Sequence, residues 1–217
     1  MQFSPRNSIR CALLASLLVA AVAHAEEPQN EFGLRANVLL GDGKPANDIL
    51  GAGLVWRHNR HSGWFFGGSL DTYAFDFERP ASYLGIRQDP DVDVIDATAT
   101  STVLGGFMGR EYGDTNNGWR WFWSVGLGAG FGSVDNVSGP IDGGGSFDLT
   151  IDRGTEVHLQ GALGTTWYFT SQWSASFTAR VEHHFMDVNI TDNISGAKTS
   201  IDSQSPVGAS LSLNYRF

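Results

Sequence analysis

A period-two alternation of apolar and polar side chains, repeated in eight segments, limits this chain more than any other feature. It is clearest in WRWFWSVGLGAGF, residues 119–131. Trp119, Trp121, Trp123, Val125, Leu127, Ala129 and Phe131 share one parity, and Arg120, Ser124, Gly126, Gly128 and Gly130 the other. Successive side chains of a strand point to opposite faces, so this pattern specifies a strand with one fatty and one wet face, and it does not fit a helix.

The other segments repeat the pattern. Phe32, Leu34, Ala36, Val38 and Leu40 oppose Gly33, Arg35 and Asn37; Leu50, Ala52, Leu54 and Trp56 oppose Gly51, Gly53, Val55 and Arg57. Trp64, Phe66, Leu70 and Ala74 oppose Ser69, Asp71 and Tyr73. A fourth strand is expected over residues 97–112, where alternation is too weak to assign faces. Val157, Leu159, Leu163, Trp167 and Phe169 oppose Glu156, His158, Gln160 and Thr166. Trp173, Ala175, Phe177, Ala179 and Val181 oppose Ser174, Ser176, Thr178, Arg180, Glu182 and His184. The last strand sets Leu211, Leu213, Tyr215 and Phe217 against Ser210, Ser212, Asn214 and Arg216.

The N-terminus reads as an export signal: Arg6 and Arg10, an apolar run at 12–23, and Ala23-His24-Ala25 as an A-x-A cleavage site. Cleavage after Ala25 divides the chain into a signal peptide, 1–25, and one domain, 26–217. It also removes Cys11, the only cysteine, so no disulfide is expected. The alternative, a lipoprotein anchor at Cys11, suits the sequence less well because Cys11 precedes the apolar run. The full chain has 14 Lys and Arg against 23 Asp and Glu; without Arg6 and Arg10 the net charge becomes −11. Such a surface repels nucleic acid.

No later stretch is long and apolar enough for a spanning helix, but strands that close into a barrel can also cross a membrane. The connections alternate in length. Short turns fall at 58–63, 113–118 and at Ser171 and Gln172, and longer polar segments at 41–48, 76–96, 133–153 and 189–205. All long loops then lie at one end, with Trp56, Trp64, Trp119, Trp121, Trp167, Trp173, Phe169, Tyr215 and Phe217 near the other, as interfacial aromatics do. The alternative is a secreted sandwich or lipocalin-like barrel with the aromatic face inward.

The signal, the eight strands and the ending Gly208-x-x-Leu211-x-Leu213-x-Tyr215-x-Phe217 resemble the small outer-membrane β-barrels of Gram-negative bacteria, of the OmpA-, OmpX- and OmpW-like kind. The resemblance covers the whole mature chain. It implies an all-β, eight-stranded antiparallel up-and-down transmembrane β-barrel in the bacterial outer membrane, among lipid and lipopolysaccharide, with a porin-like architecture. It also implies that Gly208, Leu211, Leu213, Tyr215 and Phe217 form the signal read by the barrel-assembly machinery. Because the chain stops at the last strand, no attached periplasmic domain is expected. Oligomeric state is not specified.

Eight strands enclose just enough space for side chains. The inward parity carries Arg35, Arg57, Asp71, Tyr73, Arg120, Glu156, His158, Arg180, Glu182, His184 and Arg216, expected to form an interior polar network because unpaired buried charges are costly. No catalytic residue, metal or cofactor is assigned. The expected role is non-enzymatic, structural or surface-interacting. One alternative is a narrow barrel that binds or conducts small hydrophobic molecules in the space beside Gly126, Gly128, Gly130 and Gly132. Another is a lipid A-modifying enzyme. RVEHHF looks like the deacylase strand, but His183 is followed at +2 by Phe185 and His184 by Met186, so the nucleophile is missing.

In the long segments, Asp89, Asp91 and Asp93 begin like an EF-hand, but Val94 and Thr100 occupy the glycine and bidentate-acid positions. A solvated acidic loop is expected, and residues 138–148 read as a flexible glycine-rich loop.

Overall fold

A computed structural model describes residues 29–41, 48–60, 62–89, 91, 95–113 and 118–217. The expected signal at 1–25 lies outside them, as does Asp93. Eleven strands form one antiparallel sheet: β1 Asn30–Leu40, β2 Asp48–Asn59, β3 Trp64–Phe77, β4 Ala97–Tyr112, β5 Trp119–Val134, β6 Val137–Pro140, β7 Ser146–Arg153, β8 Glu156–Tyr168, β9 Trp173–Asp192, β10 Lys198–Gln204 and β11 Val207–Arg216. Eight of them make the wall in the order β1, β2, β3, β4, β5, β8, β9, β11. The sheet closes because β11 pairs with both β1 and β9. Closure leaves no open edge, so wall strands satisfy their backbone groups against one another.

The parity assignments decide which way the apolar face points. Leu34, Leu104, Leu127, Phe131, Leu163 and Leu211 are each 60 to 65 % exposed on the outside. Asn37, Asp71, Glu156, Arg180 and Glu182 are buried inside. The fatty face is therefore external, and the lipocalin-like arrangement is not adopted. At the end with the short turns, indoles and phenols pair across strands: Trp119 stacks on Trp167 at 5.7 Å and Trp173 meets Tyr215 at 5.1 Å. Trp121 stacks on Tyr112 at 4.3 Å.

Two long segments are more ordered than their polarity suggests. Residues 133–153 fold into the β6–β7 hairpin, turned through Gly143, Gly144 and Gly145, all at positive φ, where side chains are strained. Phe147, Leu149 and Ile151 of β7 alternate inward, and β7 pairs with the outer part of β9 through Ile151 and Ile190. Strand β9 runs to Asp192 and folds back through β10. With Phe77, Ala81, Ala97, Ala99, Met186 and Val188, these side chains build an apolar core over the loop end of the barrel. The flexible-loop expectation for 138–148 is thus corrected: a three-residue apolar alternation, once paired with β9, outweighs its glycine-rich approach.

The turn at the tip of the extension, Asp192 to Gly196, is held by the Asp192 carboxylate. It accepts the backbone N–H of Asp148 at 3.0 Å and of Ser195 at 3.1 Å, and the Ser195 hydroxyl at 2.5 Å. These hydrogen bonds, the one from Asp148 foremost, lower its pKa to about 2.

Candidate functional site

The candidate site is the lumen, where inward side chains from all eight wall strands converge in two ionic layers. The lower layer sits toward the short turns. Arg57 on β2 reaches Glu31 on β1 at 2.9 Å and Glu111 on β4 at 3.3 Å. Glu111 also accepts from Arg120 of β5 at 3.0 Å, and Glu31 forms an ion pair with Arg216 on β11, 3.1 Å from its Nε. Tyr168 lies at the centre. Its hydroxyl accepts from Arg57 at 2.6 Å and donates to Glu111 at 3.0 Å. The guanidinium groups of Arg216 and Arg120 lie 4.6 and 5.0 Å from its ring centre, close enough for cation–π attraction. The layer ties strands together across the bore, and each charge faces one of opposite sign.

The upper layer is built on β1, β3, β8 and β9. Arg35 grips Asp71 through Nε at 3.1 Å and through Nη2, a two-pronged contact. Asn37 donates to Asp71 at 2.9 Å and accepts from Arg180 at 2.7 Å. Arg180 also donates to Gln160 at 3.1 Å, lies beside the Tyr73 hydroxyl, and pairs with Glu182. The other Glu182 oxygen meets His184 Nε2 at 2.8 Å, and His184 Nδ1 is 3.9 Å from Glu156. Glu156 is closed by Arg153 at 2.5 Å and by the Ser101 hydroxyl at 2.8 Å. His158 stands directly across from His184 in the β8–β9 register, their rings 5.0 Å apart. Beside this layer, Leu39, Ile49, Tyr73 and Val103 make a small apolar cluster inside the bore.

Arg35, Asp71, Tyr73, Glu156, His158, Arg180, Glu182 and His184 thus stand in the upper layer and Arg57, Arg120 and Arg216 in the lower. Seven further participants, Glu31, Asn37, Ser101, Glu111, Arg153, Gln160 and Tyr168, are absent from the network set that the sequence singles out. Glu31 and Asn37 share the parity of Arg35, and Tyr168 that of His158, so strand periodicity is a usable signal for these three. Glu111 is hidden by the glycines of β4, and Arg153 by its place in a connection that reads as a loop.

The glycine stripe has a specific cause. Gly126, Gly128 and Gly130 of β5 lie in register opposite Gln160, His158 and Glu156 of β8. A Cβ at Gly126 or Gly128 would stand 2.5 Å from the Gln160 or His158 side chain, and one at Gly130 would strike Glu156. The stripe lets long polar side chains of the neighbouring strand lie along the wall; they do not project from across the barrel. Between the layers remains a cavity of about 70 Å³, lined among others by Arg35, Phe65, Phe107, Gln160 and Arg180.

No family model and no curated protein matches the chain. Solved structures do. The outer membrane protein OprG from Pseudomonas aeruginosa is 13 % identical, with 88 % of this chain and 98 % of that one covered at a TM-score of 0.51. A major outer membrane protein from Thermus thermophilus is also 13 % identical, with 87 and 99 % covered and a TM-score of 0.52. Neisserial surface protein A gives 12 % identity, 87 and 96 % coverage and 0.49. At such identities the likeness concerns architecture alone: the chain has the fold of the small eight-stranded outer-membrane β-barrels.

Proposed function

We propose that the chain is an exported protein of the bacterial outer membrane whose closed barrel has a structural or surface-interacting role in the envelope and catalyses no reaction. The observation that carries this reading is the double ionic closure of the lumen, from Glu31 through Tyr168 to Arg216 below and from Arg35 through Arg180 to Glu156 above. A network in which every charge has a partner stiffens a wall, and opening it would expose buried ions. The apolar outer belt faces lipid, the turn end faces the periplasm, and the β6–β7 and β9–β10 extensions meet lipopolysaccharide and the outside. Residues 1–25 are the cleaved signal and 26–217 the barrel domain. Gly208, Leu211, Leu213, Tyr215 and Phe217 on β11 are the residues the assembly machinery reads.

The conduit reading is less well supported, since about 70 Å³ is far below the ~300–1,000 Å³ of sites for drug-sized ligands. The enzyme reading is weaker too: inside the bore the Ser101 hydroxyl donates to Glu156 and not to a histidine base, and the hydroxyl that does meet a histidine, Ser205 against His183 at 2.7 Å, stands on the outer parity and not among the buried carboxylates. Planar-bilayer recording and liposome swelling with the purified barrel test the proposal. Absence of solute-dependent flux is expected; steady conductance that depends on solute size would refute a closed lumen.

A further inference from the structure

His158, Glu182 and His184 form a compact donor set inside the upper layer. One ligating atom from each lies within 4.8 Å of the others. His184 Nε2 and His158 Nδ1 stand 2.8 and 3.9 Å from the same Glu182 oxygen, Oε2. Donors about 2.0–2.2 Å from a tetrahedral ion are roughly 3.3–3.6 Å apart, within the range these side chains already span. A second observation points the same way. His158 is 4 % exposed, yet neither of its ring nitrogens has a hydrogen-bond partner among the described residues. A buried imidazole without partners is costly unless something binds it.

We propose that His158 Nδ1, His184 Nε2 and Glu182 Oε2 bind one divalent transition-metal ion of the zinc or cobalt class inside the barrel. Two imidazoles and one carboxylate suit those ions, whereas calcium and magnesium take oxygen ligands. The platform is rigid: Glu182 and His184 are two residues apart on β9, and His158 faces His184 from β8. Gly128 on β5 leaves room for the His158 ring, since a Cβ there would stand 2.5 Å from its Nε2 and push the ring. Arg180 holds the second Glu182 oxygen, and Glu156 lies 3.9 Å from His184 Nδ1, where it can accept that N–H once Nε2 is a ligand. Arg35, Arg153 and Arg180 are matched one to one by Asp71, Glu156 and Glu182.

The test uses the mature chain refolded in detergent with Co²⁺, desalted, and checked for folding by heat-modifiable mobility. The expected result is one Co²⁺ per barrel with visible d–d absorption, displaced by Zn²⁺. The absorption should persist in His183→Ala, whose ring lies on the outer parity against Ser205, and be lost in His158→Ala and Glu182→Gln. If those two fail to fold, the wild type alone decides: Co²⁺ should shift the imidazole NMR signals of His158 and His184 and spare that of His58. No bound cobalt, equal absorption in the folded ligand variants, or shifts confined to His58 or His61 would overturn the site. None of these outcomes bears on conductance, so this inference and the closed-lumen reading fail separately.

Discussion

Leu127→Arg places a guanidinium on the outer face at a depth that strand geometry fixes. On β5, Trp121 and Phe131 are ten positions apart and both lie on the outer parity. At ~3.3 Å per residue and a tilt near 40°, that is about 25 Å along the barrel axis, the height of the apolar band of an outer-membrane barrel. Leu127, six residues above Trp121, lies roughly 15 Å up and so near the middle of the band. It is 65 % exposed, and its neighbours in the sheet, Gly106 and Leu159, offer no counter-charge. An arginine there should cost about 2–4 kcal/mol, against about 0–1 for the charge at Phe131, which is equally exposed at 63 % but sits at the rim. Urea unfolding in lipid vesicles, followed by tryptophan fluorescence and heat-modifiable mobility, measures both. Equal costs at the two sites would refute the reasoning, because only burial in hydrocarbon makes the penalty depend on depth.

Other outcomes follow from particular contacts. Glu111→Ala leaves Arg57 and Arg120 short of a buried partner and should cost about 3–5 kcal/mol in the same assay, while Tyr168→Phe, which keeps the ion pairs, should cost about 0.5–1.5. Gly128→Ala forces the His158 ring and should cost about 1–3 kcal/mol; Gly106→Ala, whose Cβ would meet nothing closer than 3.9 Å, should be near neutral. Asp192 has a pKa lowered to about 2, below the usual 3.8, so its contribution to the tip of the β9–β10 extension is complete above pH 4 and fades as pH falls toward 2. Pepsin cleavage within 193–206 should therefore rise between pH 4 and pH 2 in the wild type and be already high in Asp192→Asn; a flat wild-type profile would contradict this.

Which parts of the molecule are legible in the sequence depends on the range of the forces involved. Period-two alternation is local, and it determined the eight wall strands, their number and, on seven of them, which residues share a face. The weak strand, β4, has glycine at 105, 106 and 109, and its parity becomes visible only once Glu111 and Val103 are seen inside the bore. The polar parity also contains Phe65, Phe107 and Phe122, which form an edge-to-face cluster under Arg57 and show that the inner face need not be uniformly wet.

The sequence by itself determined a chain of strands with one face for apolar surroundings and one for a charged interior, because side-chain direction in a strand is set by neighbouring residues alone. Only the tertiary structure decided how the sheet closes, since that depends on β11 finding β1 across the length of the chain. Closure likewise decided which charges meet: Arg57 pairs with Glu31 and Glu111, and Arg180 bonds Asn37, because strands remote in sequence are adjacent or opposite in the barrel. The cap over the loop end was decided the same way, as Phe147, Leu149 and Ile151 have no core until β9 extends beyond the wall to meet them.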